Sequence, residues 1–168
     1  EALGPVALGI AARLGVDGAR LATPGDVAAQ GKPSGALRAA CLAWLAPYEL
    51  TWHERKLIGH SQVRRRGCVL HHCVLSLGFD AELTATAIAP PEATESEALA
   101  TALRERVSSF GEAAGRAIDA GEVRDALVLS LEALGADVAP SELSADERAG
   151  AERLETAKYL SPAWTFRR

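Results

Sequence analysis

Residues 48–79 read YELTWHERKLIGHSQVRRRGCVLHHCVLSLGF, and the fold is decided in this stretch. Tyr48-Glu49-Leu50-Thr51-Trp52 alternates in polarity and is rich in residues that favour strands. Lys56 to Arg64 and Cys68 to Leu77 read as two further strands, with Gly67 breaking the chain between them. The pattern predicts an antiparallel three-strand meander. Its first turn, at His53-Glu54-Arg55, lacks the Gly or Asn that tight hairpins favour.

Upstream, Val6 to Leu14 carries apolar residues at helical spacing, and Gly15 stands where a helix would close. A short extended piece is expected around Ala19 to Ala22. Pro24 to Ser34 holds two prolines and two glycines and reads as a flexible loop, with Cys41 just beyond it. Downstream of the meander the texture turns helical. Helices are expected over Asp80 to Ala87, ended by Pro90-Pro91, over Glu95 to Val107 and over Ala120 to Leu134. A short strand is expected over Ala136 to Ala139. Ser144 with Glu147 forms a capping box that opens a last helix reaching about Tyr159. Strands followed by helices define an α+β class, with an antiparallel or mixed sheet covered by helices.

The 168 residues fit one domain, 1–168, able to bury a full core. A net charge of −4 gives no general attraction to nucleic acid. No apolar run reaches the ~18 residues a membrane span needs. Cys41, Cys68 and Cys73 are too few for a disulfide framework, so a reducing, cytoplasmic setting is expected, with a thiol free to act.

The meander carries the string Tyr48-Glu49-Leu50, then Arg55-Lys56-Leu57-Ile58-Gly59-His60-Ser61-Gln62, Arg64, Gly67 and Leu70-His71-His72. It resembles the lipoate-protein ligase and octanoyltransferase family, in which a lysine-bearing strand precedes a small-residue turn, a glutamine and a leucine-x-histidine-glycine strand. Ser108-Ser109-Phe110 with Glu112, and the closing Lys158-Tyr159, Ser161, Trp164 and Phe166, are similar to later segments of that family. The resemblance implies a biotin/lipoate ligase-like fold of which this chain is the C-terminal part. It also implies protein partners: acyl carrier protein as donor, and as acceptor the lipoyl domains of dehydrogenase complexes or the glycine-cleavage H protein. Ala40-Cys41-Leu42-Ala43, seven residues before Tyr48, resembles the cysteine segment of the LipM-type octanoyltransferases. In that reading Cys41 attacks an octanoyl thioester and passes the acyl group to a lysine, with no ATP or other cofactor. A Lys56 ammonium near Cys41 would favour the thiolate and stabilise the oxyanion. In the alternative, an ATP- and Mg-dependent lipoate ligase, Lys56 would hold an acyl-adenylate. A second alternative is a non-catalytic subunit that binds lipoyl domains.

Gly59, Gln62, His72 and Cys73 follow the family's substrate-contacting positions. Arg64-Arg65-Arg66 is a solvated strand end or a dock for an acidic partner such as acyl carrier protein. Cys68, His71, His72 and Cys73 are not expected to bind a metal, because alternation sends Cys68 and His72 to one face and His71 and Cys73 to the other. The chain also departs from the family pattern. Cys73 replaces a glycine, His60 a small residue and Glu54 a hairpin glycine. The family's earlier arginine- and glycine-rich segment and its His-Asp motif are not among these residues, which begin at Glu1. A truncated chain, a degenerate homologue, or a split enzyme whose second subunit supplies that half would each account for this.

Overall fold

The computed structural model describes residues 3–88 and 93–167. Contacts divide the chain into two compact units, Glu1–Ala136 and Asp137–Arg168. The first holds an antiparallel sheet in the order β1 (Arg20–Leu21), β2 (Leu50–Trp52), β3 (Arg55–Arg65) and β4 (Cys68–Leu75). The expected meander is therefore present, and the extended piece near Ala19 adds a fourth strand along its edge.

Both hairpins turn through two residues with positive φ. His53 and Glu54 lie at φ 46° and 65°, Arg66 and Gly67 at 52° and 76°. Side chains disfavour this conformation. Two contacts hold the first turn without a glycine. The His53 ring packs edge-on against Trp52 at 4.3 Å between centroids, and Glu54 pairs with Arg20 at 2.7 Å.

One face of the sheet is covered by α1 (Gly4–Arg13) and α6 (Ala120–Glu132). Val6, Ile10, Leu14, Leu50, Ile58 and Phe110 form the main core there. The two helices meet where residues are small. A Cβ on Gly9 would lie 2.7 Å from the Ser130 hydroxyl, which is buried and donates to the Ala126 carbonyl. A second core joins α3 (Ala81–Ile88) and α4 (Ala93–Arg106) through Ala81, Ala85, Leu99 and Leu103. Leu37, Ala40 and Ala43 complete that core, fixing the short 3-10 turn Cys41–Ala43.

Two expectations are corrected. Pro24 to Ser34 is not a loop throughout, because Pro24–Gln30 forms α2. Thr23 caps it by accepting from Asp26 N–H, Asp26 accepts in return from Thr23 N–H, and Pro24 sits at the first turn, where its missing N–H costs nothing. Arg20 donates two bonds to Asp26, at 2.6 and 3.0 Å, and holds its carboxyl well below the usual carboxylate range. Ala136 to Ala139 forms no strand. Gly135, at φ 83°, closes α6, and the Ala136 N–H donates to the Leu131 carbonyl instead of to a ladder. The proline stop at Pro90-Pro91 lies outside the described residues.

In the second unit, Ser144 opens α7 (Ala145–Leu154) with the expected capping box, and a π-helical turn, Glu155–Tyr159, continues it. Ser161 then caps α8 (Pro162–Thr165). Lys158 lies over the rings of Tyr159 and Trp164, at 5.0 and 4.1 Å. The closing string is thus a local cation–aromatic cluster. Among the described residues, no helix is long and apolar enough to cross a membrane.

Helix α5 (Phe110–Ala114) ties the sheet's end to the rest of the first unit. Phe110 N–H donates to Ser76 and Gly111 N–H to Leu77, at 2.8 and 2.9 Å. A Cβ at Gly111 would lie 2.8 Å from the Leu77 carbonyl oxygen and 3.3 Å from that of Arg116, both of them backbone atoms. Gly111→Ala should therefore destabilise the protein by about 1–3 kcal/mol in urea unfolding. An unchanged midpoint would show that the crossing is looser than this.

Candidate functional site

Lys56 is 8% exposed and Glu49 4%. A bare ammonium or carboxylate so deep would be costly, so each needs partners. The Lys56 Nζ lies 2.8 Å from Glu49 Oε1 and donates to the Trp44 carbonyl at 2.7 Å. Glu49 has further partners. Its Oε1 also accepts from His60 N–H at 3.1 Å, and its Oε2 accepts from Ala46 N–H at 2.8 Å.

The strand geometry that creates this pair is irregular. Leu50 pairs with Ile58 but Thr51 with Lys56, so β3 carries one extra residue there. Such a bulge re-aims the side chains beside it. Lys56 and Gly59, three residues apart, would fall on opposite faces of a regular strand. Here a Cβ on Gly59 would lie 2.8 Å from Lys56 Cε and 3.0 Å from its Nζ. Gly59 thus makes room for the folded-back end of the lysine.

Lys56 is fixed from its backbone as well. Its carbonyl accepts from Ser108 N–H at 3.0 Å, and the residue bridges to Val107. The Ser108 hydroxyl donates to Glu112 at 2.9 Å, and Glu112 pairs with Arg55 at 2.6 Å. Burial pushes the Glu112 carboxyl up, but the bonds from Arg55 and Ser108 outweigh it and hold the group below its ordinary range. The Ser108-Ser109-Phe110 string with Glu112 is accordingly a buttress behind the lysine.

Cys41 is exposed and free, as are Cys68 and Cys73. Trp44 N–H donates to the Cys41 carbonyl at 3.2 Å, closing the turn, and the Trp44 carbonyl then receives the Lys56 ammonium. The cysteine turn and the lysine strand are thus joined through one residue. Arg106 holds the turn from the other side. It donates to the carbonyls of Gln30, Gly31 and Ala43 and to the Gln30 side chain.

The remaining candidates divide between two faces. Gly59 lies against Lys56, and exposed His72 stands opposite Ser61, the next residue on that face. Gln62 and Cys73 do not join them. Their register partners are His71 and His60, and the Cys73 sulfur lies with those two rings. Arg64, Arg65 and Arg66 are exposed at the far end of the β3–β4 hairpin. Sequence reasoning missed Glu49 and Arg106. Neither gave a signal of its own, since the partners of both come from other elements of the fold.

With this geometry in place, the family is clear. The chain belongs to the lipoyl protein ligase A/B catalytic domain family, whose model it matches over residues 10–132. Cys41, Lys56 and their supports lie inside that span, while the closing Lys158–Phe166 string lies beyond it. It is similar to the octanoyltransferase LipM of Kyrpidia tusciae, with 36% identity over 131 residues, covering 77% of this chain and 47% of that one. The octanoyltransferase LipM of Symbiobacterium thermophilum is 33% identical over 130 residues, with the same coverage of 77% and 47%. The chain thus spans about half the length of the curated relatives it matches. A solved structure from a study of a bi-partite lipoate protein ligase and its E2 lipoyl domain, from Thermoplasma acidophilum, shares the fold. Its TM-score is 0.66 at 19% identity, covering 95% of this chain and 55% of that one.

Removing either member of the buried pair leaves the other ion without compensation. Lys56→Met or Glu49→Leu alone should cost about 3–5 kcal/mol, and the double variant clearly less than their sum. Urea unfolding of the four proteins measures this, and strict additivity would show that the two charges are not coupled.

Proposed function

We propose that this chain carries the thiol-and-ammonium part of an octanoyl- or lipoyl-protein transferase. The observation that supports this most is the buried Lys56 ammonium, tied to the carbonyl of Trp44, the residue whose N–H closes the Cys41 turn. Trp44 and Glu49 engage two of its three N–H donors. The third is the donor a substrate oxygen would use.

In the proposed reaction the Cys41 thiolate attacks the carbonyl carbon of an octanoyl thioester on acyl carrier protein. The tetrahedral oxyanion accepts from Lys56, the carrier thiolate leaves and takes up a proton, and an octanoyl-Cys41 thioester remains. The ε-amine of a lysine on a lipoyl domain then attacks that thioester. Cys41 leaves as a thiol, and the acyl group ends as an amide. One thioester replaces another in the first half, and amide formation drives the second, so neither ATP nor metal is required for the transfer. The acceptor fits the lipoyl domain named with the structural relative. Exposed Arg64, Arg65 and Arg66 would steer an acidic carrier protein to the hairpin. In this reading the remaining half of the domain comes from further sequence or from a second subunit.

Incubation of the protein, with any partner chain that copurifies, with octanoyl-acyl carrier protein should add one octanoyl group in intact-mass analysis. Cys41→Ser should abolish the adduct, and Lys56→Met should slow its formation by about 10²–10³-fold. An adduct that survives Cys41→Ser would overturn the covalent mechanism. Modification of a lipoyl domain that needs lipoate and ATP would replace it with the ligase reaction.

A further inference from the structure

On the face of the hairpin turned away from Lys56, three ligating side chains converge. His60 on β3 stands opposite Cys73 on β4, and His71 follows two residues before Cys73 on the same face. One nitrogen from each ring and the Cys73 sulfur lie within 4.8 Å of one another. His60 Nδ1 and His71 Nε2 are 3.1 Å apart. We propose that His60, His71 and Cys73 form a binding site for a zinc-type divalent ion.

Two observations beyond proximity carry this. First, the two imidazole nitrogens, which share a hydrogen bond here, stand close to the spacing of tetrahedral ligands, since metal–nitrogen bonds of about 2.0–2.1 Å place such atoms about 3.3 Å apart, and an ion would take the place of that shared proton. Second, ring centroids at 5.1 Å with a tilt of 38° direct nitrogen towards nitrogen rather than stacking the rings.

Two nitrogens and a thiolate select a borderline or soft ion over magnesium or calcium. The three ligands leave one coordination position. A largely apolar cavity of about 250 Å³ opens beside them between the sheet, α1 and α6, lined by Ile10, Leu75 and Leu127 among others. Water or a small donor entering there would complete the tetrahedron. The site was hidden in the sequence because its third ligand comes from the neighbouring strand. Cys68 and His72 take no part, as their alternation requires.

The test needs no acyl-transfer activity. Metal-free protein titrated with Co²⁺ should bind one ion and develop a thiolate-to-cobalt charge-transfer band, which Zn²⁺ then abolishes. Cys73→Ser should lose the band, while Cys41→Ser and Cys68→Ser keep it. His60→Ser or His71→Gln, compared where circular dichroism matches the wild type, should weaken Co²⁺ binding at least tenfold. In the unmutated protein, Zn²⁺ should slow alkylation of Cys73 but not of Cys41 or Cys68. A missing band, a band that survives Cys73→Ser, or equal alkylation of Cys73 with and without Zn²⁺ would overturn the site.

Discussion

The candidate site depends on a single buried ion pair, Lys56 with Glu49, and on the Trp44 carbonyl that shares the ammonium. Desolvating two charges is expensive, and apolar residues of similar size are often as stable in their place. The arrangement therefore makes little sense as a device for stability. What it provides is an ammonium that stands in one position, held by Glu49 and the Trp44 carbonyl.

Much of the surrounding structure acts on that position. The bulge in β3 turns the lysine to its face, and Gly59 leaves the space that its side chain fills. Ser108 and Val107 hold the strand from behind, and Arg106 ties α2 to the Cys41 turn. The second core fixes Ala40 and Ala43 on either side of the exposed thiol. The thiol and the ammonium are thus carried by separately packed elements that meet at one residue, Trp44, through its N–H on one side and its carbonyl on the other.

The sheet was legible in the sequence because one face of a meander is buried and period-two alternation records it, and the helices because caps and apolar spacing record them. Lys56 and Cys41 were reached through family resemblance. What stayed hidden was non-local or irregular. A bulge adds a residue without changing composition, so the approach of Lys56 to the face of Gly59 was not visible. Glu49 is a common residue whose meaning comes from a partner on the next strand. The α2 segment was misjudged because its glycines and prolines outweighed the cap formed by Thr23 and Asp26. His60 and Cys73, two departures from the family pattern, turn out to face each other across the ladder, which a position-by-position reading treats as separate oddities.

The most direct test of the central pair is nitrogen-15 NMR of the lysine ammonium groups at neutral pH. Lys32, Lys56 and Lys158 are the chain's lysines. A buried, doubly bonded ammonium exchanges its protons slowly, whereas exposed ones lose their signal to water. One persistent signal is predicted that disappears in Lys56→Arg and is lost to rapid exchange in Glu49→Gln. Rapid exchange at all three lysines, or a protected signal indifferent to Glu49, would contradict the account.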